Sequence, residues 1–145
     1  MKDTLRPGIS HRLRFRIPAA KTVPALYPEA AEFQAMPEVL ATGFLVGLLE
    51  WSCVVLLKPH LDWPREQTLG THVDVSHEKA TPPGMVVTAT ARLVEVDGRR
   101  LRFEVDAHDG EDVIARGTHQ RFVVERDRFE AAVRAKAARV SRDPA

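Results

Sequence analysis

Between Glu38 and Lys58 the chain reads EVLATGFLVGLLEWSCVVLLK, and inside those charged ends the one ionisable carboxylate is Glu50. Leu48, Leu49, Trp51, Val54 and Val55 surround it. A run apolar on nearly all sides predicts a helix buried by the rest of the protein. An ionised carboxylate taken out of water costs several kcal/mol unless it is paired. Something elsewhere in the sequence must therefore meet Glu50, or the carboxyl must give up its charge. The run is about long enough to span a bilayer. Mid-run Glu50, the glycines Gly43 and Gly47, and the strand-like sequence that follows argue for a core helix instead.

Around that helix there is room for one domain over residues 1–145, with a C-terminal helix and tail over 126–145. A composition 44% hydrophobic and 28% charged excludes disorder as a whole-chain description. A net charge of +1 gives no case for nucleic acid or an anionic membrane as partner. Cys53 is the single cysteine and cannot form an internal disulfide. It reads as a small core residue in a reducing cytoplasm. The opening MKDTLRPGISHRLRF lacks a continuous apolar segment, so no secretory signal is expected.

Leu13, Phe15 and Ile17 alternate with Arg12, Arg14 and Arg16, predicting a half-buried strand over His11–Pro18. Ala19–Pro37 is broken by Pro24, Pro28 and Pro37, yet carries Val23, Leu26, Tyr27, Phe33 and Met36. An apolar loop of that length covers either a core edge or a ligand mouth. After the helix, alternation returns over Leu69–His77, with Val73, Val75 and His77 on the inward face. Met85–Val96 and Leu101–Ala107 form two strands joined at Asp97-Gly98, a tight-hairpin signal. Val113–Val124 is the last strand. Phe129 and Val133, four apart, predict a short amphipathic helix over Arg126–Arg139 with a solvated basic face. The class is therefore α+β, an antiparallel sheet around one apolar helix. One curved sheet cannot cover such a helix all round, so at least a dimer is expected.

The chain has no Gly-rich phosphate loop, no Cys-x-x-Cys and no Gly-x-Ser-x-Gly elbow. His72 and His77 fall on opposite faces of the expected strand and make a poor metal pair. Glu50, inward His77 and Thr42-Gly43 near the helix start remain. Helix-start amides suit the polarising of a carbonyl oxygen, and the Thr42 hydroxyl is placed to add a hydrogen bond or to serve as an N-cap. Glu50 suits attack on an acyl carbon or activation of water, and His77 a proton shuttle. A lone inward histidine such as His77 is more often a hydrogen-bonded core residue than a catalyst.

In order, the local sequence resembles the fluoroacetyl-CoA thioesterase family of the hot-dog fold superfamily. The resemblance covers about residues 1–136 and rests on several blocks. These are KTV at Lys21–Val23, LYPE at Leu26–Glu29 and EVLATGFLVGLLEWSCV at Glu38–Val54. They continue as LGT at Leu69–Thr71, HEKATPPG at His77–Gly84, GRRL at Gly98–Leu101, AHDG at Ala107–Gly110 and GTHQR at Gly117–Arg121. The resemblance implies a hot-dog fold and hydrolysis of a short acyl-CoA to a carboxylic acid and coenzyme A, with no further cofactor and no metal. It implies catalytic roles for Thr42, Glu50 and His77, and substrate contacts at Gly70 and Arg121. Val23 and Phe33 match the family's pocket mouth, whereas Met36 stands where a second phenylalanine is expected. A hot-dog hydratase or dehydratase would place a histidine at the helix start, where this chain has Thr42. A non-catalytic acyl-CoA binding module would use Glu50 and His77 as a satisfied buried pair.

Overall fold

The computed structural model describes residues 1–140; the end of the expected tail, 141–145, lies outside the described residues. Five strands form one antiparallel sheet in the order β1-β3-β4-β5-β2: β1 is Ser10–Arg16, β2 Glu66–Val75, β3 Val86–Asp97, β4 Arg100–His108 and β5 Val113–Glu125. The alternation read from the sequence is kept along β4 but not along β2, where Val73, expected to face inward with Val75 and His77, is 41% exposed because the register shifts between Gly70 and His72. Leu101, Phe103, Val105 and Ala107 are buried, while Arg102, Glu104, Asp106 and His108 face solvent. The Asp97-Gly98 signal closes the β3–β4 hairpin, with Asp97 paired to Arg100.

The apolar run forms α3, Thr42–Leu57, lying against β1, β3 and β4. Leu45, Leu48, Leu49, Cys53, Leu56 and Leu57 are buried there. Each fully buried leucine stabilises the fold by about 1.5–3 kcal/mol relative to an exposed one. By length and composition Thr42–His60 would suit a membrane crossing. In the fold, this helix fills the concave face of the sheet.

The boundaries of α3 and β2 differ most from the sequence reading. The helix begins at Thr42, because the three residues after Glu38 are drawn into tertiary pairing. Leu40 bridges Thr22, its N–H donates to the Thr81 carbonyl at 2.8 Å, and Ala41 N–H donates to Lys21 O at 3.1 Å. Strand β2 begins three residues earlier than Leu69 and ends at Val75, so His77 lies just past it. Its register against β5 shifts between Gly70 and His72, which leaves Thr71 as a bulge. Near the end of β2 the two backbones approach so closely that a Cβ on Gly117 would sit 2.0 Å from the Asp74 carbonyl oxygen.

The segment before α3 folds into two short helical turns, α1 (Val23–Leu26) and α2 (Ala31–Gln34). Leu26 lies against Gly43, where an added Cβ would meet its Cδ1 at 3.2 Å. The C-terminal helix α4 spans Arg126–Val140 and buries no residue.

Candidate active site

Thr42 is the first residue of α3 rather than its cap: the cap is Ala41, in extended conformation. The first intrahelical bond is Leu45 N–H to Ala41 O, so the amides of residues 42–44 stand ahead of the helical ladder. The Thr42 hydroxyl is hydrogen-bonded to His77 Nδ1 at 2.8 Å. Backbone bonds from Ser76 N–H to Arg116 O and from Glu78 N–H to Ile114 O hold the chain on either side of His77. The other ring nitrogen, Nε2, is buried and has no hydrogen-bond partner among the described residues. A buried polar atom without a partner is uncommon, and it marks a place where a further group can bind.

Two turns along α3, Glu50 makes a different set of contacts. Its partner is not His77 but Arg121 on β5, whose Nη1 donates to Glu50 Oε1 at 3.1 Å. The Arg121 side chain is 7% exposed and that of Glu50 40% exposed, so a buried cation faces a carboxylate that reaches solvent. Arg121 is fixed on its other sides: Nε donates to Thr68 Oγ1 at 2.8 Å and Nη2 to the Thr68 carbonyl at 2.9 Å. Gly70 lies over this cluster. A Cβ there would come within 2.6 Å of Glu50 Oε1, 3.3 Å of His119 Cε1 and 3.4 Å of Arg121 Nη1. Only a glycine lets the edge strand pass this close to the carboxylate. Cys53, one turn on, is fully buried, and burial pushes its thiol up to about 12, so it stays protonated and inert.

The sequence-derived residues thus fall into separate groups. Thr42 and His77 touch, and Glu50, Arg121 and Gly70 touch. Among the described residues no hydrogen bond joins the two groups. Val23 lies beside Val39, to whose carbonyl its N–H donates at 3.0 Å. Phe33 packs its ring 6.2 Å from that of Tyr27, and Met36 is 47% exposed. Among the described residues there is no cluster of three or more His, Cys, Asp or Glu suited to a metal ion.

A buried carboxylate, Asp109, escaped the sequence reading. Asp109 accepts the Thr81 hydroxyl at 2.9 Å and the N–H groups of Glu111 and Asp112 at 3.0 and 2.8 Å. Burial pushes its pKa up, but those donors outweigh burial and hold it below the usual aspartate value. Because Thr81 also carries the Leu40 bond, Asp109 fixes the chain entering α3 and so the position of Thr42. Both residues lie in the quoted TPPG and AHDG blocks, which was the available signal.

Residues 25–127 match the profile of the family described as fluoroacetyl-CoA-specific thioesterase. The fluoroacetyl-CoA thioesterase of Streptantibioticus cattleyicolor is 52% identical over 136 residues, 94% of this chain and 97% of that protein. A solved variant of FlK in complex with acetyl-CoA is 51% identical and superposes with a TM-score of 0.89, over 91% of this chain and 98% of that one. A hot-dog-like protein from Thermanaerovibrio acidaminovorans shares the fold at 21% identity, with a TM-score of 0.75 over 90% and 91% of the two chains.

Proposed function

The chain belongs to the fluoroacetyl-CoA-specific thioesterase family, with its hot-dog fold, and from that premise we propose that it hydrolyses short acyl-CoA thioesters in a reducing cytoplasm. The observation that carries the reading is the Thr42–His77 hydrogen bond at the amide-rich start of α3. A thioester carbonyl oxygen seated there meets first-turn N–H groups and the Thr42 hydroxyl, donors aimed at the charge that develops as the carbonyl becomes tetrahedral. His77 hands a proton to the departing CoA sulfur. Glu50, bonded to Arg121, supplies the electron pair. It does so either by attacking the acyl carbon, which expels the CoA sulfur and forms an anhydride that water then cleaves to the free acid and the regenerated carboxylate, or by taking a proton from the attacking water. The coenzyme is part of the substrate, and no metal or second cofactor enters the scheme.

Val23, Phe33 and Met36 shape the mouth over the acyl group in this scheme. Arg121 acts on the substrate through Glu50, because every nitrogen of its guanidinium is already engaged within the chain. Along α3 eight residues separate Thr42 from Glu50, about 12 Å at the helical rise. The reading therefore includes a homodimer in which the helix start of one subunit works with Glu50 of the other. Two features support it: β2 is an edge strand, and its residues Gly70–Asp74 are all exposed in the single chain.

Free-thiol release from a panel of acyl-CoAs tests the activity. A hydratase would instead change the acyl group and leave the thioester intact, and a binding module would do neither. Sedimentation at micromolar concentration tests the assembly, where a monomer would remove the basis for a shared site.

A further inference from the structure

His119 has no part in the roles above, yet it is 2% exposed and both of its ring nitrogens are engaged. Nδ1 lies 2.7 Å from the carbonyl oxygen of His72, at the irregular point of edge strand β2. Nε2 lies 3.1 Å from Arg121 Nη1. A carbonyl only accepts and a guanidinium only donates. One protonation state satisfies both: Nδ1 carries the proton and Nε2 accepts from Arg121.

We propose that His119, as this Nδ1–H tautomer, is a positioning residue for the hydrolysis, holding the Arg121 guanidinium so that Nη1 is aimed at Glu50. Thr68 grips Nε and Nη2 along one edge of the planar guanidinium, and His119 adds the acceptor at its Nη1 end. The two hydrogens of Nη1 are then divided, one to His119 Nε2 and one to Glu50 Oε1. The chain of bonds runs from the backbone of β2 through His119 and Arg121 to the carboxylate. It thereby ties the orientation of Glu50 to the edge strand rather than to the helix that carries it. Restraint of this kind matters because catalytic groups act within narrow limits of distance and angle.

Burial, more than the surrounding charges, keeps the arrangement intact near neutral pH. Burial holds the pKa of His119 below the ordinary histidine value, and the Arg121 charge acts in the same direction. The bond to His72 O and the charge of Glu50 oppose it without reversing it. Strand β4 contributes the Phe103 ring, 6.4 Å away and without charge. Helix α3 contributes Glu50 and protonated Cys53, strand β5 Arg121, and β2 His72.

The proposal rests on Glu50 being the reacting carboxylate, and two variants separate positioning from mere packing. In His119→Asn the amide nitrogen takes the place of Nδ1 and keeps the bond to His72, but the side chain is too short to reach Arg121. In His119→Gln the amide oxygen reaches Arg121 as acceptor and the bond to His72 is lost. Each variant forfeits one buried hydrogen bond, so their melting temperatures should fall alike. His119→Asn should lower kcat about tenfold to a hundredfold with KM little changed, the worth of one hydrogen bond to a charged group. His119→Gln should keep most of the activity. Equal losses, no loss, or the reverse order overturns the proposal.

A measurement on the wild type needs no variant to fold. Long-range proton–nitrogen correlation on the His119 ring at neutral pH should report the Nδ1–H tautomer, and an Nε2–H ring or an imidazolium overturns the proposal. Failure of the wild type to release thiol from any acyl-CoA would instead overturn the thioesterase reading and leave the tautomer result standing.

Discussion

Gly70→Ala should separate activity from stability more cleanly than any other single change. The added methyl group would lie 2.6 Å from Glu50 Oε1, whereas ordinary contact begins at 3.4 Å. The carboxylate must therefore retreat by about 0.8 Å, while the same methyl group stands in contact with Arg121 Nη1 at 3.4 Å and His119 Cε1 at 3.3 Å, so it fills the space beside the ion pair. The retreat is cheap for the fold. Glu50 is the far end of a flexible side chain, 40% exposed, and a pair that open to water is worth about 0–1 kcal/mol. Gly70 is not among the residues with positive φ, so alanine suits its backbone and loses less chain entropy on folding, a gain of about 0.4–1 kcal/mol. The two effects nearly cancel, and the melting temperature should move by less than about 4 °C. Catalysis has no such offset: a misplacement near 1 Å costs about a hundredfold. The assay is initial-rate thiol release beside a thermal melt on the same preparation. A variant that hydrolyses acetyl-CoA at the wild-type kcat would refute the role given to this contact. So would a loss of rate that simply follows loss of folded protein.

Glu50→Gln keeps the shape and removes the charge, so thiol release should fall by about 10²–10⁴ while the fold survives; Thr42→Ala should cost less than His77→Ala, since neighbouring amides still polarise the carbonyl. The stability contributed by Asp109 carries a definite sign with pH. Its folded pKa is lowered, so the contribution is complete above the ordinary aspartate value near about 4 and disappears as pH falls through the folded value. Denaturant melts of Asp109→Asn should show a loss of about 1–3 kcal/mol at neutral pH and a flatter acid limb than the wild type. At the mouth, one methylene is worth only about 1–3 kcal/mol of discrimination, and flexible Met36 should give a shallow preference among short acyl groups. Met36→Phe should therefore raise the ratio of kcat/KM for fluoroacetyl-CoA over acetyl-CoA, and an unchanged ratio would show that selectivity is set elsewhere.

The strands were legible because burial on one face writes itself as alternation, as at Leu101–Ala107, and a carboxylate inside an apolar helix announces that it needs a partner. Which partner was not legible. Period-two reading points to His77, but the bulge at Thr71 breaks that period and His77 lies beyond the end of β2. The position goes to Arg121, whose strand mates Leu101 and Gly70 bring it under the helix from a distant part of the chain. The helix start was misjudged for a related reason. Val39 and Leu40 are apolar and in phase with the helix, yet the bonds from Val23 N–H to Val39 O, from Ala41 N–H to Lys21 O and from Leu40 N–H to Thr81 O outcompete a further turn. Such bonds join residues far apart in sequence, and no local pattern encodes them.

The separation of Thr42 from Glu50 leads to a test of assembly that needs no structure of the complex. Both residues sit on one rigid helix, about 12 Å apart along its axis. A reacting carbon and the groups that act on it must lie within about 3–3.5 Å. In the proposed homodimer a two-fold axis relating antiparallel copies of α3 would bring each helix start towards the other's Glu50, with Arg121 still holding that carboxylate. Each dimer would then hold two sites, each drawing Thr42 and His77 from one chain and Glu50 from the other. Glu50→Gln and His77→Ala homodimers should both be nearly inactive. After subunit exchange at equal concentrations about half the dimers are mixed, and in each of these both lesions fall in one site and leave the other intact. Thiol release should rise from near nothing to about one quarter of the wild-type rate per chain. If instead each chain completes its own site, every site in the mixture carries a lesion and exchange restores nothing.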